Sequence, residues 1–159
     1  MKPKPFVPEP MEGRDGFVRD RTTGLAWHCC RLRTLYADTD RSQVVYHANY
    51  LRYFEYGRAS LMRDVAYPYR EIEESGYTYP IIKMGADFFT PLYYDDAMCI
   101  HTRPGALERV KLAFEYVITT EENHGLVCKG FTCHCAVNNA GIPVGIDEKT
   151  VKLWKRFPE

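Results

Sequence analysis

The sequence predicts an α+β fold in which one long helix packs against a curved antiparallel sheet. Residues 49–65 carry apolar side chains at steps of three or four, which is typical of an amphipathic helix. After Gly76 the pattern changes to period-two alternation rich in aromatic and β-branched residues. Short turn signals separate these later segments, and strands joined by short connections pair antiparallel.

The chain of 159 residues fits a single domain with its own hydrophobic core. Its composition, 45% hydrophobic and 26% charged, argues against a disordered chain or a coiled coil. The 21 Lys and Arg residues balance the 21 Asp and Glu residues, so no basic excess indicates nucleic-acid binding. No apolar run approaches the roughly 18 residues of a membrane-spanning helix, and we expect no integral membrane segment.

The first 25 residues differ in character from the rest of the chain. They are rich in proline and charged residues with little apolar periodicity, so residues 1–25 are predicted to form a flexible arm and residues 26–157 the folded domain. The start, MKPKPFVPEP, has four prolines where a secretory signal needs an apolar segment. We therefore expect a cytoplasmic protein with reduced thiols at all six cysteines: Cys29, Cys30, Cys99, Cys128, Cys133 and Cys135.

The predicted elements follow in order along the chain. The run HCCRLRTLY at residues 28–36 predicts the first strand, and a loop leads from Ala37 to about His47. Asn49 is a candidate N-cap of the long helix, and AYPYREIEESGY ends that helix and adds a short helical turn. Turn signals then separate about four strands: DD at 95–96, RPG at 103–105, ENHG at 122–125 and NNAG at 138–141.

Aromatic residues make up 14% of the chain, including 12 Tyr and 8 Phe. A single long helix leaves much of the aromatic sheet surface uncovered, so we expect a homodimer formed through strand edges or sheet faces. Pairing of dimers into a homotetramer stays open.

Several standard chemistries lack their sequence motifs. The chain has no G-x-S-x-G elbow, no H-E-x-x-H helix, no phosphate-binding P-loop and no G-x-G-x-x-G. Only three serines are present, which disfavours a serine hydrolase. The calcium-loop pattern after Asp38 fails because Gln43 and Asn49 stand where Gly and Glu are needed.

The Cys and His residues do not form a metal-binding pattern, since neither HCC nor CHC contains a C-x-x-C spacing. Strand alternation sends Cys133 and Cys135 to one face and His134 to the other. We therefore expect buried thiols and no metal site.

The loop before the helix brings together residues suited to attack on a carbonyl. Asp40 and His47 lie within ten residues of Asn49, close to the helix N-terminus, whose unpaired N–H groups favour developing negative charge. Asp38 and Asp40 alone would suit a turn. His47 alone would suit capping or packing as well as catalysis.

Residues 36–55, YADTDRSQVVYHANYLRYFE, resemble the signature of the 4-hydroxybenzoyl-CoA thioesterase family of hot-dog folds. Within that family the segment is most similar to the Tol-Pal-associated acyl-CoA thioesterases, and Arg58 extends the similarity. Weaker similarity continues through KM at 83–84, DF at 87–88, PL at 91–92 and DD at 95–96. The resemblance implies a long central helix wrapped by a curved antiparallel sheet of five or six strands.

The resemblance also implies residue roles. Asp40 matches the catalytic aspartate, and His47 matches the position whose backbone N–H polarises the thioester carbonyl. Glu55 lies in the family's F-E element, where a helical or ion-pair role with Arg58 is the simpler interpretation. Residues 41–43, RSQ, depart from the small residues and Gly often found there.

We expect hydrolysis of a small aromatic or a short- to medium-chain acyl-CoA, with Asp40 as nucleophile or as general base. No cofactor is expected, because coenzyme A is part of the substrate. The expected pocket residues are Tyr46, Asn49, Tyr50, Phe54 and Glu55, and the cationic candidates for the coenzyme A phosphates are Lys83, Arg109 and Lys111.

Two other functions fit the same fold. One is a hot-dog acyl-thioester hydratase, although its D-x-N-x-x-H motif is absent. The other is a non-catalytic module that binds acyl-CoA or acyl carrier protein. The charged side chain of Asp40 argues against a pure binder.

Overall fold

The computed structural model describes residues 2–159. Seven strands form one sheet: β1 (Pro8–Pro10), β2 (Phe17–Asp20), β3 (Ala26–Arg33), β4 (Ile81–Phe88), β5 (Ala97–Leu107), β6 (Lys111–Thr120) and β7 (Leu126–Cys135). Three α-helices accompany it: α1 (Tyr50–Asp64), α2 (Tyr69–Glu74) and α3 (Glu148–Arg156). No helix in this described range is long and apolar enough to cross a membrane.

The strands pair antiparallel throughout, in the order β1-β2-β3-β5-β6-β7-β4. The predicted α+β class, the long helix and the four strands after Gly76 are confirmed. The sheet has seven strands rather than five or six, because two additional strands come from the N-terminal segment. We call the face toward α1 the inner face and the opposite face the outer face.

The N-terminal segment is not the irregular arm that its composition predicts. Its residues form β1 and β2 beside β3, and Phe6 is only 4% exposed, with its ring 5.6 Å from that of Trp27 on the outer face. Both strands are short, and β1 begins and ends with proline at the sheet edge, where a missing N–H is tolerated. Such short strands have too few residues for a periodic pattern.

Helix α1 packs closely on the inner face of β5. A Cβ atom added to Gly57 would lie 2.5 Å from Thr102 Oγ1 and 2.7 Å from Ile100 Cγ2. Because both neighbours are fully buried, the sheet cannot move away cheaply. Gly57 therefore sets the distance between helix and sheet.

We expect Gly57→Ala to lower the free energy of unfolding by about 1–3 kcal/mol, since the extra methyl overpacks the helix–sheet contact. Urea denaturation measures the change. Ser60→Ala, on the same helix, is the control and should stay within about 0.5 kcal/mol of the parent. Equal stability of the two variants would contradict the close approach.

The C-terminal helix α3 was not predicted from the sequence. Asp147 caps it by accepting from Thr150 N at 3.0 Å, and it also accepts from the Tyr67 hydroxyl at 2.8 Å. Trp154 packs against Phe114, with ring centroids 5.0 Å apart. This helix closes one end of the core.

Candidate active site

The loop that carries Asp40 folds into a small hairpin. Thr39 pairs with Val45, and the Asp40 N–H donates to the Val44 carbonyl at 2.9 Å. Gln43 closes the turn with φ 69°, a left-handed conformation that glycine adopts most easily. Residues 41–43 therefore form the turn without the glycine often found there, and Gln43 carries backbone strain as a result.

The Asp40 side chain is exposed at the start of this turn. Its carboxylate accepts one hydrogen bond, from the Ser42 backbone N–H at 2.7 Å. A carboxylate can accept several hydrogen bonds, so this one fixes its direction and leaves acceptor capacity free.

Asp38 anchors the hairpin to α1. It is 2% exposed, and its carboxylate accepts from the Tyr53 hydroxyl at 2.9 Å and pairs with Arg52. Its backbone carbonyl accepts from Asn49 Nδ2 at 2.8 Å. The sequence suggested a turn role for Asp38 and an N-cap role for Asn49, but Asn49 has helical φ and ψ and no capping hydrogen bond. Both residues instead hold the loop against the helix.

A 3₁₀ turn, His47–Asn49, leads directly into α1. The Asn49 N–H donates to the Tyr46 carbonyl at 2.9 Å. Within residues 2–159, the N–H groups of His47 and Ala48 have no hydrogen-bond acceptor. Two free donors at the positive end of a helix form a suitable oxyanion site.

An apolar cleft of about 270 Å³ opens beside this turn, with His47 in its wall. It is lined by Val45, His47, Tyr50, Phe88, Phe89, Thr90 and Pro91. The Tyr50 ring lies 5.0 Å from Phe88, and burial raises the pKa of Tyr50 to about 12, which keeps its hydroxyl neutral. The structure thus brings two of the predicted residues, His47 and Tyr50, to one cleft. Asp40 is not part of its wall.

Asp40 and the cleft are connected by one short stretch of backbone. The chain returns from the turn through Val45, which lines the cleft, and reaches His47 two residues later. The Val45 N–H donates to the Leu92 carbonyl at 2.8 Å, which ties this stretch to the segment after β4. The hairpin, the helix start and the cleft therefore form one structural unit.

Four of the five predicted pocket residues lie outside the wall of this cleft: Tyr46, Asn49, Phe54 and Glu55. Phe54 is 0% exposed and stacks on Tyr116 at 4.3 Å, so it belongs to the core and not to the cleft. Tyr46 is 44% exposed, with its ring 4.5 Å from that of His47 outside the cleft wall. Residues 88–91 were missed, although the run FFTP after an alternating strand marked an aromatic strand end.

The expected ion pair between Glu55 and Arg58 is absent from the described residues. Glu55 is exposed, whereas Arg58 reaches inward toward the half-buried Tyr69, whose hydroxyl is enclosed. Burial raises the pKa of Tyr69, and the nearby Arg58 guanidinium opposes that rise. Both charged residues line a second cleft of about 240 Å³ together with Ala59, Tyr69, Glu73 and Tyr79.

The three cationic candidates are exposed and form no ion pair within residues 2–159. Lys83 lies on β4, with its ammonium 5.9 Å from the centre of the Phe131 ring. Lys111 begins β6, but Arg109 lies in the turn before it. Arg109 and Lys111 therefore do not lie on one strand.

No group of three or more His, Cys, Asp or Glu side chains in the described part of the chain could hold a metal ion. The side chains alternate around Cys133 and Cys135 as predicted. Both cysteines lie on the outer face of β7, and the ring of His134 lies on the inner face, 5.4 Å from that of Phe114. All six cysteines are free thiols.

Comparison with known proteins identifies the family. The model of the thioesterase-like superfamily matches residues 34–153. An acyl-CoA thioester hydrolase YbgC of Escherichia coli O6:H1 is 28% identical over 102 residues, covering 64% of this chain and 74% of that protein. The acyl-CoA thioesterase YbgC of Helicobacter pylori is 41% identical over 81 residues, covering 50% and 58%.

The fold agrees with solved structures. A crystal structure of a hypothetical protein from Aquifex aeolicus superposes with a TM-score of 0.74 at 30% identity, covering 79% of this chain and 98% of that one. The predicted hot-dog arrangement of helix and sheet is confirmed. The chain belongs to the thioesterase-like superfamily.

Proposed function

We propose that this chain is an acyl-CoA thioesterase that uses Asp40 and the N-terminus of α1. Family membership and the names of its relatives support thioester hydrolysis. One observation carries the assignment to this site: the 3₁₀ turn with free N–H groups at His47 and Ala48 joins an apolar cleft, lined by His47, to a hairpin that holds an exposed carboxylate. A thioester needs no metal or Ser-His-Asp triad, because its carbonyl is already electrophilic.

In this mechanism the thioester oxygen accepts hydrogen bonds from the two free N–H groups, which stabilise the tetrahedral oxyanion. Asp40 acts in one of two ways. As nucleophile it bonds to the carbonyl carbon and expels the coenzyme A thiolate, and water then hydrolyses the mixed anhydride. As general base it removes a proton from the attacking water, and the thiolate leaves from the resulting intermediate.

The cleft favours a small aromatic or a short- to medium-chain acyl group. Its walls are largely aromatic and its volume is about 270 Å³, close to the lower end of ligand pockets. The exposed cations Lys83, Arg109 and Lys111 are candidates for the coenzyme A phosphates. The motif at residues 36–55 supports placement near the Tol-Pal-associated subgroup.

We further propose a homodimer built through β4, with a homotetramer as a second level of assembly. Strand β4 pairs only with β7 in the described sheet, and its exposed apolar residues include Ile82 at 51% and Phe88 at 51%. A long apolar edge strand of this kind is a template for pairing. If the β4 strands of two copies pair antiparallel, Phe88 of one copy lies near Ile81 of the other. The cleft beside Phe88 would then approach the second cleft of the other copy, the one lined by Glu55 and Arg58.

The role of the helix N-terminus can be tested at His47. We expect His47→Pro to lower kcat by about 10²–10³-fold, because proline removes one oxyanion donor. Proline fits this position: Tyr46 before it has ψ 130°, and the first helical residue tolerates proline. Thiol release from acyl-CoA measures the loss.

His47→Ala is the matched control, since it keeps the backbone N–H and removes the imidazole. We expect it to retain kcat within about tenfold if the ring does not transfer protons. Equal losses in His47→Ala and His47→Pro would assign the activity to the imidazole, which both variants lack, and contradict a backbone oxyanion site.

Thiol release with aromatic and aliphatic acyl-CoA esters of increasing length tests the function. Turnover of at least one ester supports the proposal and defines the acyl class. Loss of the enoyl absorbance of crotonyl-CoA without thiol release would favour a hydratase. Absence of turnover across the panel would favour a binding module or an acyl carrier protein substrate.

A further inference from the structure

Two free thiols lie side by side on the outer face of the sheet. Cys29 is on β3 and Cys99 is on β5, far apart in the sequence. In the register of these antiparallel strands Cys29 pairs with His101 and Arg31 pairs with Cys99, so the two cysteines are diagonal neighbours. Side chains two residues apart on a strand share a face, so both cysteines lie on the face that carries Trp27 and His101.

The backbone pairing brings these side chains close together. The Cys29 N–H donates to the Gly16 carbonyl, just before β2, at 2.7 Å, so the Cys29 backbone groups point away from β5. Side chains approach each other more closely at antiparallel positions that exchange no hydrogen bonds. The right-handed twist of the sheet shortens one of the two diagonals at such a position. The thiols of Cys29 and Cys99 hydrogen-bond each other, so they lie on the shortened diagonal.

The contact makes the two thiols chemically unequal. Their hydrogen bond lowers the pKa of Cys99 and raises that of Cys29, and burial raises the pKa of Cys29 further. Burial and Glu121 oppose the lowered pKa of Cys99, whereas the Arg31 guanidinium, which pairs with Glu121 at 3.2 Å, supports it. Cys99 is therefore the member of the pair that forms the thiolate, the reactive form of cysteine.

The surroundings select a small reagent. Cys29 is half-buried and Cys99 is buried. A peroxide the size of two water molecules can reach such sulfur atoms, whereas a bulky disulfide cannot approach Cys99. The thiol of Cys30, the next residue on β3, instead donates to the Ile100 carbonyl at 3.8 Å. Cys133 and the remaining thiols of β7 are separated from Cys99 by β6.

We propose that Cys29 and Cys99 form a dithiol site that hydrogen peroxide oxidises reversibly to a disulfide. The Cys99 thiolate attacks one peroxide oxygen, the O–O bond breaks, and hydroxide leaves while Cys99 becomes a sulfenic acid. The Cys29 sulfur then attacks the Cys99 sulfur and the S–O bond breaks. The departing oxygen takes the Cys29 proton and leaves as water.

The electrons and atoms of this step balance within the pair and the peroxide. The two sulfur atoms lose two electrons, and the peroxide is reduced to two water molecules once the hydroxide takes up the proton that Cys99 released. A dithiol reductant reverses the reaction by thiol–disulfide exchange. Because the pair lies on the face of the sheet opposite α1, the proposal does not depend on thioester hydrolysis.

Thiol counting and mass spectrometry of the folded protein test the proposal. After brief exposure to a small excess of hydrogen peroxide, we expect two of the six thiols to be lost. The intact mass should fall by the mass of two hydrogen atoms, and peptide mapping should place the disulfide between Cys29 and Cys99. Dithiothreitol should restore all six thiols. These readouts use the parent chain and need no variant.

Three variants separate the two steps. Cys29→Ser should form no disulfide and should accumulate a sulfenic acid at Cys99, which dimedone labels. Cys99→Ser should form neither product at this pair. Cys133→Ser, which removes a thiol from the same face of the sheet, is the matched control and should lose two thiols as the parent does.

Four results would overturn the proposal. The parent could keep all six thiols, or it could gain oxygen at one sulfur without forming a disulfide. The disulfide could map to other cysteines or join two copies of the chain. Loss of two thiols in Cys99→Ser to the same extent as in Cys133→Ser would show that the oxidation does not need this pair.

Discussion

Asp40→Asn is expected to lower kcat by about 10²–10⁴-fold, the usual loss for a positioned acid, base or nucleophile. Asparagine has the same size and can still accept the hydrogen bond from the Ser42 N–H, so the hairpin should persist. Its amide can neither take a proton from water nor form an anhydride with the acyl group. Thiol release measures kcat, and titration with a non-hydrolysable thioether analogue of acyl-CoA should show nearly unchanged binding.

Asp38→Asn is the matched control two residues away. Asp38 is buried and pairs with Arg52 and the Tyr53 hydroxyl, so its loss should mainly lower the unfolding temperature. Activity at low temperature should survive in the folded fraction. Parental kcat in Asp40→Asn would show that Asp40 is not the catalytic aspartate. A stable but inactive Asp38→Asn enzyme would point to Asp38 instead.

Stability is expected to fall steeply as pH decreases below about 6.5. Burial lowers the pKa of His101 to about 3 and that of His134 to about 4, so both rings are neutral in the folded protein at neutral pH. At pH values between the pKa of each ring in the folded protein and its pKa near 6.5 in the unfolded chain, the unfolded chain binds more protons than the folded protein. Each histidine then lowers the free energy of unfolding by about 1.4 kcal/mol per pH unit, or about 2.7 together.

Burial keeps the two rings neutral and outweighs the contacts that would favour their protonation. His134 faces the Tyr79 carbonyl through Nδ1 and the Thr132 hydroxyl through Nε2, both at 2.8 Å. His101 faces the Thr119 hydroxyl at 3.1 Å and packs on Phe6. Neither ring forms an ion pair within residues 2–159, and the attraction of Asp20 for a proton on His101 is smaller than the effect of burial.

Urea denaturation at pH 7.5, 6.5 and 5.5 measures this slope. His101→Gln should halve the dependence between pH 6.5 and 5.5, even if it lowers stability overall. His124→Gln, at an exposed turn, is the control and should leave the slope unchanged. A flat profile for the parent protein would mean that neither ring stays neutral in the folded state over this pH range.

The helix and the later strands could be predicted because each repeats a pattern over many residues. The predicted span 49–65 differs from Tyr50–Asp64 by one residue at each end. The four strands after Gly76 are eight to eleven residues long, enough to show alternation. The strands β1 and β2, of three and four residues, carry no comparable signal.

The site was only partly predictable for a related reason. Helical spacing shows that Tyr50 and Phe54 share the buried stripe, but it does not show which of them meets a cleft. Tyr50 lies at the open end of the helix beside Phe88, whereas Phe54 stacks on Tyr116 one turn further in. Residues 88–91 reach the cleft through long-range contacts: β4 pairs with β7, and the Val45 N–H donates to the Leu92 carbonyl.

The most direct measurement is the rate of coenzyme A thiol release by the purified chain and by Asp40→Asn, across esters from acetyl-CoA to medium-chain and aromatic acyl-CoA. Saturable release by the parent for at least one ester, reduced at least a hundredfold in the variant, is the predicted result. Release at the uncatalysed rate for every ester, or equal release by both proteins, would contradict the assignment of thioester hydrolysis to Asp40.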